Sequence, residues 1–244
     1  MQDWREWGTC GMENEIKKII TELGADVCGI ASVERFGEAP IGFAPTDLYA
    51  ECKTVIAIGI ALPKGLLEVD PRLVYTHFNG TIICDEVDHV SMKAAKVLEE
   101  KYNCKAVPVP CDTPSEYWEP ETMTAKGMLS MKHVAVQCGI GQVGKSSLLL
   151  NSIYGNRLTI GAILTDLKLS SDELCEDICI SSCKLCEEIC PVHAIKDKRV
   201  DQKRCRPNLF GKTARGYVTM ECNRCRTVCP MRFGKSTTDE KGSS

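Results

Sequence analysis

"CGIGQVGKSSLLLNSIYGNRLTIGAILTDLKL", residues 138–169, is the stretch on which the reading of the fold turns. Its second half, "RLTIGAILTDL", is a β-branched apolar run of strand length. The segment "GKSSLLLNSIYG" before it predicts a helix. At the front, Gly139, Gly141 and Gly144 satisfy G-x-G-x-x-G, and Gly139 to Ser146 also satisfy G-x₄-G-K-S, with Lys145 and Ser146 in the phosphate-binding places. Three readings are open. The loop can cradle a nucleoside triphosphate, bind a dinucleotide, or make a tight turn where backbone approaches another cofactor or the sheet. A phosphate loop normally opens its fold, whereas this one has few strands after it. A dinucleotide loop wants an acidic residue about 20 positions further on, and Asp166 instead ends the next strand.

Upstream, "GMENEIKKIITELG" carries Ile16, Ile19, Ile20 and Leu23 at helical spacing and stops at Gly24. "ADVCGIAS" and "KTVIAIGIAL" read as strands, "CDEVDHVSMKAAKVLEEKY" as a helix and "KAVPVP" as a short strand. "DTPSEYWEPETMTAKG" reads as a long loop and "KHVAVQC" as a further strand. Strands alternating with helices predict an α/β or α+β core over residues 1–174. The polar tail 236–244 is expected to be disordered. The first residues carry charges where an apolar signal segment would lie, and no apolar run approaches roughly 18 residues. A cytoplasmic protein without a membrane span is expected.

Sixteen cysteines are anomalous for such a protein, because a reducing compartment disfavours structural disulfides. Seven (Cys10, Cys28, Cys52, Cys84, Cys104, Cys111, Cys138) are scattered and read as small core residues. The other nine crowd residues 175–229. There, Cys183, Cys186, Cys190, Pro191 and Cys222, Cys225, Cys229, Pro230 repeat C-x₂-C-x₃-C-P, a spacing that points to two [4Fe–4S] clusters. Zinc is the alternative, but it leaves the paired C-P endings unexplained. Residues 175–235 therefore read as a metal-organised, ferredoxin-like module. Its stretch 196–235 holds twelve Lys or Arg against three acidic residues, within a chain of net charge −3. That surplus offsets cluster charge or steers an acidic electron donor. Nucleic acid is not expected as a partner, because aromatic residues are few there.

The run 138–169 resembles the epoxyqueuosine reductase family, which carries A-G-L-G-x-x-G-K-N-x-L-L-I and then Y-G-S-x-x-x-L-G-E-I-L-T-D. Gly139, Gly141, Gly144, Lys145, Leu148, Leu149, Tyr154, Gly155, Gly161, Ile163, Leu164, Thr165 and Asp166 match position by position. The likeness runs on through the cysteine segment and faintly back to "PTDLYAECKTVIAIG". That family and the related reductive dehalogenases place a cobamide, its lower base detached, over an α/β core fed by two [4Fe–4S] clusters. The resemblance implies that Gly139, Gly141, Gly144, Lys145 and Ser146 approach the cobamide. It also implies crossed ligation, with Cys183, Cys186, Cys229 and one upstream thiol on one cluster and Cys190, Cys205, Cys222 and Cys225 on the other. Family spacing puts the upstream ligand at Ile180, which cannot bind iron, so Cys179 is preferred to the more distant Cys175.

Two departures matter. The family's D-S-A-P run, whose Asp donates a proton, corresponds here to "TAKGMLSMKH" (124–133), which has no carboxylate. Family members also usually extend further, with a part that helps engage tRNA. The expected function is therefore a low-potential iron–sulfur reductase of anaerobic metabolism, passing electrons from a ferredoxin- or flavodoxin-like donor to a cobamide or small-molecule substrate. The alternative is a non-catalytic ferredoxin-like electron carrier or a reductive activator of another protein's corrinoid, and epoxyqueuosine reduction ranks behind both. His77 and Tyr75 are the candidate proton donors.

Overall fold

The computed structural model describes residues 9–112 and 115–235, so the expectation for the tail 236–244 lies outside the described residues. The chain runs through α1 (Thr9–Glu22), β1 (Val27–Ser32), the short α2 (Pro45–Leu48) and β2 (Thr54–Ala61). α3 (Leu73–His77) continues through a wide π turn (Phe78–Ile82) into α4 (Ile83–Tyr102) and β3 (Ala106–Val109). A hairpin of β4 (Tyr117–Glu119) and β5 (Thr124–Lys126) precedes α5 (Met131–Gln137). A second hairpin, β6 (Gln142–Val143) and β7 (Leu149–Leu150), leads to β8 (Leu158–Thr165). The remainder is compact coil with α6 (Leu185–Glu188), β9 (Ile195–Lys196), β10 (Arg199–Val200), α7 (Gln202–Leu209), β11 (Phe210–Lys212), β12 (Val218–Met220) and α8 (Arg224–Thr227).

One four-stranded sheet, ordered β1-β2-β8-β3, is antiparallel at every pairing. Of the two classes the sequence allows, the core is thus α+β. β2 and β8 pair along their full length, from Thr54 with Thr165 to Ala61 with Leu158. Both are buried on both faces, which is why they read as continuous apolar runs rather than alternating ones. Ile56, Ile58 and Ile163 face α1 and α4, where they meet Ile16, Ile20, Val90, Ala94 and Leu98. Val55, Ala57, Ala162 and Leu164 face the other way, onto α5 and the glycine loop, against Val134, Ala135, Cys138 and Ile140. Each fully buried Ile or Leu contributes roughly 1.5–3 kcal/mol. Of the scattered cysteines, Cys52 and Cys138 are buried in this core, while Cys28, Cys84, Cys104 and Cys111 are only partly so.

Two elements differ from expectation. The expected strand "KHVAVQC" is α5. Met131, Val134, Ala135 and Cys138 are spaced for one helical face, and the sheet they cover decides the outcome over the β-branching of Val134 and Val136. The expected helix "GKSSLLLNSIYG" is β7 flanked by turns. Ser147 sits at φ +62°, and the Asn151 Oδ1 accepts the N–H groups of Ile153 and Tyr154 at 2.8 Å, a local bond that competes with helix. The long loop also proves to hold the β4–β5 hairpin. Among the described residues no helix is long and apolar enough to cross a membrane.

Residues 151–157 clamp the end of the described chain to the core. The Asn156 Nδ2 donates to the Arg226 carbonyl at 2.9 Å, the Arg226 Nη1 returns a bond to the Asn156 carbonyl at 2.8 Å, and the Lys235 N–H reaches the Ser152 carbonyl. Gly155, at φ +61°, permits this approach, since an added Cβ would stand 2.1 Å from the Arg232 carbonyl oxygen. Gly155→Ala should therefore lower unfolding free energy by about 2–4 kcal/mol in urea titration. Gly65→Ala, with nothing within 4 Å of its added Cβ, should change it by less than about 1 kcal/mol.

Candidate functional site

After β8 the chain doubles back along the free edge of β1. The Asp172 N–H donates to the Ile30 carbonyl and the Ile30 N–H to the Asp172 Oδ2, each at 2.8 Å, and the Ser32 N–H bonds the Ser171 Oγ. Lys17 pairs with Asp172, and Glu13 accepts from the Ser170 N–H. This strap covers an edge that would otherwise present unpaired backbone groups. It then runs against the glycine loop, where an added Cβ on Gly139 would stand 2.2 Å from the Glu173 carbonyl oxygen. The Cys175 thiol donates to the Gly139 carbonyl at 2.9 Å, and the Gln142 Nε2 donates to the Cys175 carbonyl. The strap thus delivers Cys179 beside Gly144, whose added Cβ would lie 3.7 Å from the Cys179 Sγ.

Cys179, Cys183, Cys186 and Cys229 line one small pocket with Lys145, Ser146 and Leu150. The Lys145 ammonium donates to the carbonyls of Ile180, Ser181 and Cys183, so it holds the turn on which two of the thiols ride. Cys175 is not part of this lining. The other four thiols gather nearby. Cys190 packs with Ala194, Ile195, Cys205 and Cys225, and Cys222 lies within electrostatic reach of Cys205 and Cys225. The two C-x₂-C turns are conformational copies. Lys184 (φ −127°, ψ 9°) opens α6 and Asn223 (φ −134°, ψ 17°) opens α8. Each triplet sends its last cysteine to the other gathering, Cys190 one way and Cys229 the other.

Burial pushes the thiols of Cys186, Cys205 and Cys229 up, and that of Cys225 to about 11, with neighbouring cysteines adding to the effect. Among the described residues no group of three or more His, Cys, Asp or Glu side chains closes into an arrangement able to hold a metal ion. The expectation of two [4Fe–4S] clusters ligated by Cys179, Cys183, Cys186, Cys190, Cys205, Cys222, Cys225 and Cys229 is corrected accordingly, and with it the cluster-holding ferredoxin-like module. The structure has two gatherings of free thiols. The two-cluster oxidoreductase and its carrier alternative both need those clusters, and they fall together.

The glycine loop offers no open cradle for a cobamide either. Gly139 abuts the strap, Gly141 would place a Cβ 2.3 Å from the Leu150 carbonyl oxygen, and Gly144 packs on the Leu150 side chain. Lys145 is spent on the three carbonyls, and Ser146 is buried. Tyr75 is buried beside Cys222, Cys225 and Arg226, and burial raises its phenol above the usual range. His77, two residues on, is exposed and meets Phe78 edge-on. The structure does not bring the two together.

Two features escaped the sequence reading. A polar cleft opens between residues 67–72 and 221–227, bordered by Arg72, Glu221, Asn223 and Arg224. The buried Asn223 Nδ2 has no partner there. Beyond the cleft, the Arg206 guanidinium lies 5.1 Å from the Trp118 ring and 5.8 Å from that of Phe210, joining residues from the expected loop and the basic segment. The basic surplus hinted at such a face, as did Tyr117 and Trp118 of the long loop, which can cap a planar ligand or anchor the loop to the core.

Lys145→Met should cost about 1–2 kcal/mol of stability, the scale of lost charged hydrogen bonds partly open to solvent. It should also speed native-state alkylation of Cys183 over Cys175, read by peptide mass spectrometry. Alkylation of Cys225 should rise about tenfold per pH unit and level off near pH 11, because the thiolate is the nucleophile and burial delays its formation.

No family model matches the chain. The epoxyqueuosine reductase of Lactococcus garvieae is 28% identical over 197 residues, covering 75% of this chain and 53% of that protein. A crystal structure of epoxyqueuosine reductase with an epoxyqueuosine-modified tRNA-Tyr stem loop shares the fold, with a TM-score of 0.64 at 19% identity, over 94% of this chain and 67% of that one. The reductive dehalogenase NpRdhA, solved with 3-bromo-4-hydroxybenzoic acid, does so with a TM-score of 0.65 at 16% identity, over 91% and 32%. The chain spans about half the length of the first curated relatives it matches. The expectation against nucleic acid is corrected, since a protein of this fold is captured on a tRNA stem loop. Both groups are reductive enzymes, which supports a redox-active, catalytic role in general terms. The chain is thus similar in sequence to epoxyqueuosine reductases over three quarters of its length, and it shares its fold with them and with reductive dehalogenases.

Proposed function

We propose that the chain acts in epoxyqueuosine reduction, on an epoxide-bearing nucleoside presented by a tRNA stem loop. The carrying observation is the Trp118–Arg206–Phe210 stack on the basic side of the molecule. Unpaired loop bases are bound by stacking on aromatic rings and guanidinium planes, with cationic side chains tracking the phosphates. Arg72, which pairs with Glu221, and Arg224 border the neighbouring cleft and supply cationic donors for a nucleotide. The similarity to epoxyqueuosine reductases across three quarters of the chain supports the same reading.

Deoxygenating an epoxide to an alkene takes two electrons, drawn here from an external low-potential reductant, and two protons, and releases water. The segment 124–133, where relatives carry their acidic donor, has no carboxylate. Tyr75 remains the candidate donor, a buried phenol that is protonated in the neutral range and that burial raises further. The basic segment then serves RNA phosphates rather than cluster charge.

The test is incubation with an epoxyqueuosine-bearing tRNA stem loop and a chemical reductant without oxygen, followed by nucleoside mass spectrometry. The expected product has lost one oxygen atom. In parallel, fluorescence anisotropy should show stem-loop binding that weakens with salt. Trp118→Ala and Arg206→Ala should each reduce it by roughly 1–3 kcal/mol, about five- to a hundredfold. Absence of both deoxygenation and salt-dependent binding would sink the proposal.

A further inference from the structure

Cys84 and Cys111 lie side by side, away from the two thiol gatherings. Cys84 stands in the first turn of α4, and Cys111 two residues beyond β3, the strand that packs against that helix. The Cys111 thiol donates to the Cys84 carbonyl oxygen at 3.7 Å, so the two residues are in direct contact. Backbone fixes the pair, since the Cys111 N–H donates to the Asp88 Oδ1, one turn along α4, at 3.0 Å. Both cysteines are partly open to solvent. Three carboxylates, Asp85, Asp88 and Asp112, surround them.

We propose that Cys84 and Cys111 form a redox-active dithiol that exchanges with small cationic disulfides. The Cys84 thiolate attacks one sulfur of the external disulfide, forming a mixed disulfide and expelling the first small thiol, which takes up the proton Cys84 lost. Cys111 gives up its proton and attacks the Cys84 sulfur, closing the Cys84–Cys111 bond and expelling the second thiol. One external disulfide is reduced to two thiols, and two protein thiols are oxidised to one disulfide. The order of attack follows from the contact between them. The Cys111 S–H bond lowers the Cys84 thiol and leaves Cys111 well above the ordinary range, although the nearby carboxylates oppose the thiolate on both. The same carboxylates set the preference among oxidants, attracting cations and repelling anions.

Oxidation would pin the first turn of α4 to the end of β3. That turn follows the π segment, whose Asn79 Nδ2 donates to the Met220 Sδ at 3.4 Å, two residues before Cys222. The dithiol therefore sits one packed contact from the second thiol gathering.

The experiment exposes the full chain, without oxygen, to cystamine, 2-hydroxyethyl disulfide or oxidised glutathione, then quenches with acid, alkylates and maps peptides by mass spectrometry. A Cys84–Cys111 linked peptide with the loss of two hydrogens is expected, forming fastest with cystamine and slowest with oxidised glutathione, the rates converging as salt is raised. Cys111→Ser should halt at cysteamine attached to Cys84, whereas Cys84→Ser should leave Cys111 a free thiol. Equal thermal midpoints for the variants and the parent establish that they fold, and the parent result decides the matter alone if they do not. Recovery of both cysteines as alkylated thiols, bridging to any other cysteine, or the same bridge formed equally well in denaturing urea would each overturn the proposal.

Discussion

The backbone of Gly139 and the carbonyl of Glu173 occupy space that a single methyl group would contest. This close approach is the constraint on which the rest of the molecule hangs. It lets the strap lie along β1, so that a sheet edge and a cysteine segment are organised by the same few residues. It brings the Cys175 thiol onto the Gly139 carbonyl, and from there the chain reaches Cys179 with little freedom left. Lys145 completes the arrangement by gathering three carbonyls of the next turn. A glycine-rich loop that looks made for a phosphate is thus used to bind the protein's own backbone, which has the same appetite for an ammonium group as an anion but is already covalently in place.

What could be read from the residues depended on how many of them shared one period. β2, β8, α1 and α4 are long, and each buries a whole face, so tertiary packing and local pattern agree and the elements stand where spacing puts them. α5 departs from the strand its pattern suggests because seven residues with β-branched Val134 and Val136 fit both periods, and only the sheet beneath them chooses. β7 was misread because an Asn side chain and one left-handed Ser intervene in an apolar run. At the site, cysteine spacing shows which thiols share a neighbourhood, as the grouping around Lys145 illustrates. Spacing carries no information on whether the sulfurs close on a metal, and there the expectation was overturned. The stack of Arg206 on Trp118 joins residues far apart in the chain, and no local pattern announces it.

The charge asymmetry acquires a geometric meaning once the fold is known. Acidic residues are spread over the core, while the basic stretch 196–235 wraps the thiol gatherings and ends clamped to residues 151–157. Cationic side chains are held there partly by aromatic faces, as Arg206 is by Trp118 and Phe210, and Arg232 by Phe233. Such contacts satisfy a guanidinium without neutralising it, leaving its field directed outward.

The swapping of Cys190 and Cys229 between the two gatherings has a mechanical consequence. Neither copy of the C-x₂-C turn owns a complete set of four, so peeling either one from the core strips a member from both. Residues 183–229 are therefore interlaced like two clasped hands, and they should open as one cooperative unit or not at all.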